Sequence, residues 1–169
     1  MQATTKCCLP ALILLLQLIP AYGFSGQVVA VTDGDTVKVM HSGQAEKVRL
    51  ARIDCPEHNQ PFGQRAKQFT AAACFGRVVT VEDQGKDKYG RSISEIILPD
   101  GKDLNRELVR EGLAWWYRKY APNDSDLSQL ENTARLQHRG LWADANPTAP
   151  WEFRRIEKQR KQSVLQPAS

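Results

Sequence analysis

Three short stretches of this chain bring together residue types that can do chemistry in common: Val31-Thr32-Asp33-Gly34-Asp35-Thr36-Val37, Arg49-Leu50-Ala51-Arg52-Ile53-Asp54-Cys55-Pro56-Glu57, and Asp87-Lys88-Tyr89-Gly90-Arg91. They supply paired carboxylates, further acids at Asp54 and Glu57, and arginines at Arg49 and Arg91. Carboxylates hold a hard cation in a shell of oxygens, and guanidinium forks grip phosphoryl oxygens at two points. The set therefore suits metal-assisted cleavage of a phosphodiester. Asp-Gly-Asp alone says little, because Asp-Gly is a common hairpin turn. The order and spacing of all three stretches carry the reading.

Strands must carry most of these residues. Val28 to Thr32 alternates as a strand does, Asp33-Gly34 turns, Thr36 to Met40 alternates again, and Ser42-Gly43 leads into a third strand from Gln44 to Ile53. This meander delivers Asp35 near a turn, Arg49 to the last strand and Asp54 to its end. After Pro56 and Pro61, Phe62, Ala66, Phe69 and Ala73 fall at helical spacing, which predicts a helix from Gly63 to Phe75 that Gly76 ends. Arg77 to Glu82 and Ser92 to Leu98 return to strand character. Asp103 caps a short helix through Arg110 that Gly112 terminates, Leu113 to Tyr120 is dense in aromatics, and a last helix with Leu127, Leu130, Ala134 and Leu136 stops near Gly140. Pattern alone supports a small α+β or β-barrel domain.

The chain has 169 residues and a formal net charge of +4, a length that predicts one domain with a real core. Lys6, the apolar run Cys7 to Ile19 and Pro20-Ala21-Tyr22-Gly23 read as a secretory signal peptide cleaved after Gly23. That implies a secreted or periplasmic protein with no stable membrane anchor after cleavage, since the run falls short of the roughly 20 apolar residues of a spanning helix. Loss of Lys6 takes the charge from +4 to +3, a mild excess that by itself identifies no partner. The expected organisation is a signal peptide at 1–23, a compact domain at 24–153 and a basic tail at 154–169. In the tail, Arg154, Arg155, Lys158, Arg160 and Lys161 face Glu157 alone. They could touch phosphates or form a solvated helix end, and the second reading is preferred. The exported chain keeps Cys55 and Cys74, an even count that favours a disulfide over two small buried apolar groups. His41, His58 and His138 lack metal-ligand spacing, so no zinc site is expected.

In order and spacing the three stretches resemble the staphylococcal nuclease (thermonuclease) family, over roughly Gly26 to Trp142. The resemblance implies a five-stranded OB-fold β-barrel with three helices, one of them between the third and fourth strands. It implies a calcium site (Ca2+) held by Asp35, Asp54 and the backbone carbonyl of Cys55, with positions left for water and a substrate phosphate. Glu57 matches the glutamate cast as general base, which either takes the proton of the attacking water or orients that water. Arg49 and Arg91 match arginines that bind the scissile phosphate. Lys88 and Tyr89 match a pair that contacts a neighbouring phosphate, and Tyr120 falls where a substrate-lining ring is expected. The chain departs from the family at Arg118, where a second tyrosine is frequent and Tyr117 stands beside it. It departs also at Cys55, which replaces a common threonine, and in the short loop His58-Asn59-Gln60-Pro61. Arg52 is expected to make a surface pair.

The activity so implied is that of a secreted, monomeric, calcium-dependent endonuclease hydrolysing DNA and RNA with little sequence preference. Water would attack phosphorus and expel the 5′-oxygen, leaving 3′-phosphate ends. The alternative is a non-catalytic OB-fold module that binds nucleic acid or protein, since such barrels also serve as platforms. The presence of Asp35, Asp54, Glu57, Arg49 and Arg91 together favours the enzyme.

Overall fold

Alternate residues of the predicted strands turn their apolar side chains to a common interior: Val28, Val37, Val39, Val48, Val81 and Ile96 are all 0 % exposed. The computed structural model describes residues 23–165, and the expected signal peptide lies outside the described residues except for Gly23. Strands β1 (Gly23–Asp33), β2 (Thr36–His41) and β3 (Gln44–Leu50) form the meander. A two-residue strand β4 (Ile53–Asp54) and helix α1 (Gly63–Cys74) come next, followed by the antiparallel pair β5 (Val78–Lys86) and β6 (Ser92–Ile97). Parallel pairing of β3 with β6 and antiparallel pairing of β1 with β5 close a barrel in the order β1-β2-β3-β6-β5. This is the expected α+β architecture, a five-stranded OB-type barrel with α1 between its third and fourth strands.

The remaining elements cover one side of the barrel and carry part of the cleft. Helix α2 (Leu104–Arg110) is capped by Asp103, whose carboxylate accepts from the Asn105 and Arg106 N–H groups. Strand β7 (Trp115–Trp116) pairs antiparallel with β4, and α3 (Ser125–Leu136) is capped by Asp124. A 3-10 turn (Gly140–Ala143) precedes α4 (Pro150–Leu165). The fold thus has four α-helices where three were expected. Pro150 opens the fourth, and its fixed φ suits a first helical position. Residue 154, where a separate tail was expected to begin, lies inside this helix.

Strand β3 ends three residues earlier than the pattern predicted. Arg52 takes a left-handed φ of 64°, costing on the order of 1 kcal/mol, and the chain turns a corner before Asp54. Buried Asn105 holds that corner by donating to the carbonyls of Ala51 at 3.0 Å and Ser94 at 3.2 Å. The Arg52 side chain pairs with Glu95 at 2.9 Å and Asp124 at 3.4 Å, the surface role expected of it.

The disulfide expectation is corrected: Cys55 and Cys74 are both free and buried. Cys74 Sγ donates back to the Thr70 carbonyl one helical turn earlier at 3.0 Å. Cys55 packs beneath Gly34, where an added Cβ would lie 2.9 Å from its sulfur. Cys74 lies about two turns along α1 from Ala66, which meets the same Gly34 as Cys55. Burial pushes both thiols up, Cys55 well above the ordinary range and Cys74 to about 11, so the nucleophilic thiolate is scarce at neutral pH. A chain beginning at residue 24 should therefore show no rapidly reacting thiol with a disulfide-exchange reagent at pH 8, faster reaction as the pH is raised, and two thiols per chain after denaturation. Silent cysteines after denaturation without reductant would mean a bridge.

Candidate active site

The hairpin between β1 and β2 is tight, with Asp33 paired to Thr36 and only Gly34-Asp35 between them. Gly34 is needed by close approach: a Cβ there would lie 2.7 Å from the Ala66 Cβ and 2.9 Å from the Cys55 Cβ. Thr70 of α1 donates to the Gly34 carbonyl at 2.6 Å and fixes the turn from below. Asp35 is thereby held 7 % exposed. It accepts from the Cys55 N–H at 2.7 Å and from the Thr36 hydroxyl at 3.2 Å. The register of β2 with β3 sets Arg49 opposite Thr36. From there its guanidinium reaches Asp35 and Asp54, each at 2.7 Å.

Asp54 arrives from the far side of the Arg52 corner, its side chain 1 % exposed. Its second oxygen pairs at 2.7 Å with Arg154, on the first turns of α4. Arg154 also reaches Glu57 at 2.6 Å. Glu57 lies in a loop closed by Gln60, which accepts from the Glu57 N–H at 3.1 Å and donates to the Thr148 carbonyl at 2.6 Å. The same loop rests on α1, because Gly63 lets the Glu57 carbonyl approach where a Cβ would sit only 1.9 Å away.

Charge in this cleft is unbalanced. The imbalance is local: Asp33, Asp35, Asp54 and Glu57 cluster at one end, where among the described residues Arg49 and Arg154 pair with them, whereas Arg52, Lys86, Lys88 and Arg91 with Asp87 line the remainder. Among the described residues, the buried Asp33 Oδ1 has no hydrogen-bond partner. Burial, followed by the neighbouring Asp35 charge, raises the Asp33 carboxyl above the usual range. Burial raises Asp54 too, outweighing the opposing pairs with Arg154 and Arg49. In Arg154 the balance falls the other way: hydrogen bonds to Asp54 and Glu57 overcome burial and hold its proton more tightly than usual.

The opposite wall of the cleft carries Arg91, Lys88 and Tyr89. Asp87 organises this loop by accepting from the Tyr89 N–H at 2.9 Å and from the Arg91 Nε at 2.7 Å. The same pairing leaves the Arg91 Nη1 edge without a protein partner among the described residues. Lys88 and Arg91 both lie beside the Tyr89 ring, 5.0 and 5.7 Å from its centroid. Tyr120 is 69 % exposed at the rim and meets Tyr117 edge to face at 4.9 Å. Tyr117 lines the cleft, whereas Arg118 is taken up by buried Glu131 at 2.6 Å and by the Trp116 ring. All the predicted site residues, Arg49, Glu57, Arg91, Asp35, Asp54, Cys55, Lys88, Tyr89 and Tyr120, thus border one cleft of 880 Å³.

Four other residues belong to this arrangement. Asp33 was visible in Asp-Gly-Asp but read as turn chemistry. Asp87, four residues before Arg91, carries the ordinary signal of an acid placed to hold a base. Gln60 and Arg154 had no sequence signal, because each depends on contacts between the Glu57 loop and residues about ninety positions further along.

The chain matches the family described as Staphylococcal nuclease homologue over residues 47–144. It is 43 % identical over 129 residues to an "Uncharacterized endonuclease" of Escherichia coli O157:H7, covering 76 % of this chain and 84 % of that one. It is 40 % identical over 158 residues to a "Micrococcal nuclease" of Shigella flexneri, covering 88 % and 91 %. The protein belongs to the staphylococcal nuclease family. It is a nuclease, and nucleases of this family are in general metal-dependent. Its donor set fits a hard divalent cation: the ligands available are oxygens, four acids meet two arginines at one end of the cleft, and among the described residues one buried carboxylate oxygen there has no hydrogen-bond partner. Among the described residues no cage of three or more such ligands is closed, and the Arg154 guanidinium spans the gap between Asp54 and Glu57.

An unsatisfied, partly buried negative charge weakens the fold. Asp33→Asn should raise the thermal midpoint in chelator, by no more than about 2 °C, since solvent screens this half-buried group. A lower midpoint in calorimetry would show that the carboxylate is satisfied in a way the present contacts do not include.

Proposed function

We propose that the protein is an exported, calcium-dependent endonuclease that hydrolyses DNA and RNA with little sequence preference and leaves 3′-phosphate ends. The observation that carries this reading is the meeting, in one cleft, of surplus carboxylate oxygens with fixed guanidinium groups. Asp35, Asp54 and the Cys55 carbonyl would hold the cation, which supplies Lewis-acid polarisation and charge neutralisation at the scissile phosphate. Arg91, restrained by Asp87, presents a guanidinium edge to developing negative charge on the phosphoryl oxygens without reorganising during reaction. Arg49 keeps the two acidic ligands together and adds positive charge beneath them. Glu57 orients the attacking water or takes its proton. Lys88 and Tyr89 seat a neighbouring phosphate, and exposed Tyr120, backed by Tyr117, offers a ring face on which bases stack regardless of sequence. The apolar run Cys7–Ile19 followed by Pro20-Ala21-Tyr22-Gly23 supports export.

The test is hydrolysis of plasmid DNA and of RNA with calcium or with chelator, using wild type, Glu57→Gln and Arg91→Ala. Wild type should cut both polymers only with calcium and give ends that polymerase extends only after phosphatase treatment. Each variant should lose about 10²-fold or more in rate. Products with 3′-hydroxyl ends would refute the proposed bond cleavage. Equal DNA binding by all three proteins with no cutting would assign the chain to the binding modules.

A further inference from the structure

The cleft does not stop at Glu57. Glu57 and Arg154 also border a second groove of 440 Å³ that runs along α4, walled by Asn59 and Phe153 and reaching Lys158 and Lys161. Arg154, Lys158 and Lys161 fall at i, i+4 and i+7, so they form one stripe on the helix. Seven residues at about 1.5 Å rise give that stripe a length of roughly 10 Å. The negative charges along the groove are already committed. Glu57 is paired with Arg154 at 2.6 Å and Glu157 with Arg160 at 3.3 Å. Among the described residues, Lys158 and Lys161 have no acidic partner, and both are exposed.

The groove is also fixed in place relative to the cleft. Trp151, on the first turn of α4, stacks on Tyr117 at 5.2 Å with the rings 5° from parallel, and meets Trp115 edge to face at 5.6 Å. The Gln60 bond to Thr148 ties the Glu57 loop to the approach of the same helix. A docked helix bearing two uncommitted ammonium groups in a concave track, continuous with a nuclease cleft, differs from a freely solvated charge run. We propose that Lys158 and Lys161 form a second subsite for the phosphodiester backbone, which holds single-stranded nucleic acid leaving the cleft past Arg154. The proposal rests on the nuclease cleft described above and assigns the basic helix to substrate binding.

The test is binding of a single-stranded trinucleotide and of a dodecamer in chelator, followed by fluorescence anisotropy across a range of salt concentrations. The full chain is compared with Lys158→Ala/Lys161→Ala, with Lys158→Arg/Lys161→Arg, and with Arg155→Ala on another face of the same helix. The double alanine variant should bind the dodecamer about tenfold more weakly and lower its salt slope by about 1.4, as expected for two lost single-strand phosphate contacts. The trinucleotide should lose much less, and the double arginine variant should bind like wild type. Equal losses for both oligonucleotides, wild-type binding by the double alanine variant, or an equal dodecamer loss in Arg155→Ala would each overturn the subsite. So would unchanged dodecamer binding with lost binding to vesicles of anionic lipid, which would place a membrane on this face. Cutting by wild type in calcium is scored separately. If lysine-dependent dodecamer binding is found without any cutting, the subsite stands and the proposed catalysis falls.

Discussion

Two carboxylates and one guanidinium form the contact around which the cleft is built. Arg49 holds Asp35 and Asp54 at 2.7 Å each, with its side chain only 13 % exposed. Asp35 comes from a hairpin turn and Asp54 from beyond a strand corner, and without the cation between them the acids would repel each other at close range. Removing water from three charges is costly, and breaking such a buried group by deleting one member typically costs about 3 to 5 kcal/mol. The barrel supplies what makes the arrangement tenable. The β2–β3 register aims Arg49, Gly34 lets the turn settle on α1, and the Cys55 N–H adds a hydrogen bond that Asp35 needs.

The same device recurs outward from the centre. Asp87 restrains Arg91, Glu131 takes Arg118 and leaves Tyr117 to the cleft, and Arg154 spans Asp54 and Glu57. Each pair fixes a long, flexible side chain that would otherwise sample many rotamers. Around these pairs the acids Asp33, Asp35, Asp54 and Glu57 still cluster closely; burial raises Asp33 and Asp54, and the Asp35 charge adds to both. A site that is electrostatically uncomfortable when empty of cation is suited to binding one, and the valine-rich barrel interior offsets the loss in stability. Local rules broken at a cluster of residues are what function leaves behind in an otherwise consistent structure.

Much of this was legible in the residues themselves. Period-two alternation located the barrel strands because each has one face inside, and the helical spacing of Phe62, Ala66, Phe69 and Ala73 located α1. Asp35, Arg49, Asp54, Glu57 and Arg91 were singled out by their resemblance to the motifs of the staphylococcal nuclease family, and the strands and turns bring them to one cleft. The Arg52 corner was not, since the pattern from Gln44 to Ile53 is compatible with an unbroken strand and only Asn105 and Glu95, far along the chain, determine the break. The free cysteines were misread because an even count in a chain expected to be exported says nothing about direction, and Cys74 turns toward its own helix. Arg154 looked like one cation in a solvated run. Its partners lie about a hundred residues earlier, and it is the docking of Trp151 on Tyr117 and Trp115 that brings it to them.

Calorimetric titration of calcium into the wild-type protein and into Asp54→Asn tests most directly whether the acids gathered by Arg49 are a cation site. Saturable binding of a single cation by wild type, abolished in the variant while the fold survives, is the predicted result. Equal calcium binding by the two proteins would place the cation elsewhere and contradict the role given to Asp35, Asp54 and the Cys55 carbonyl.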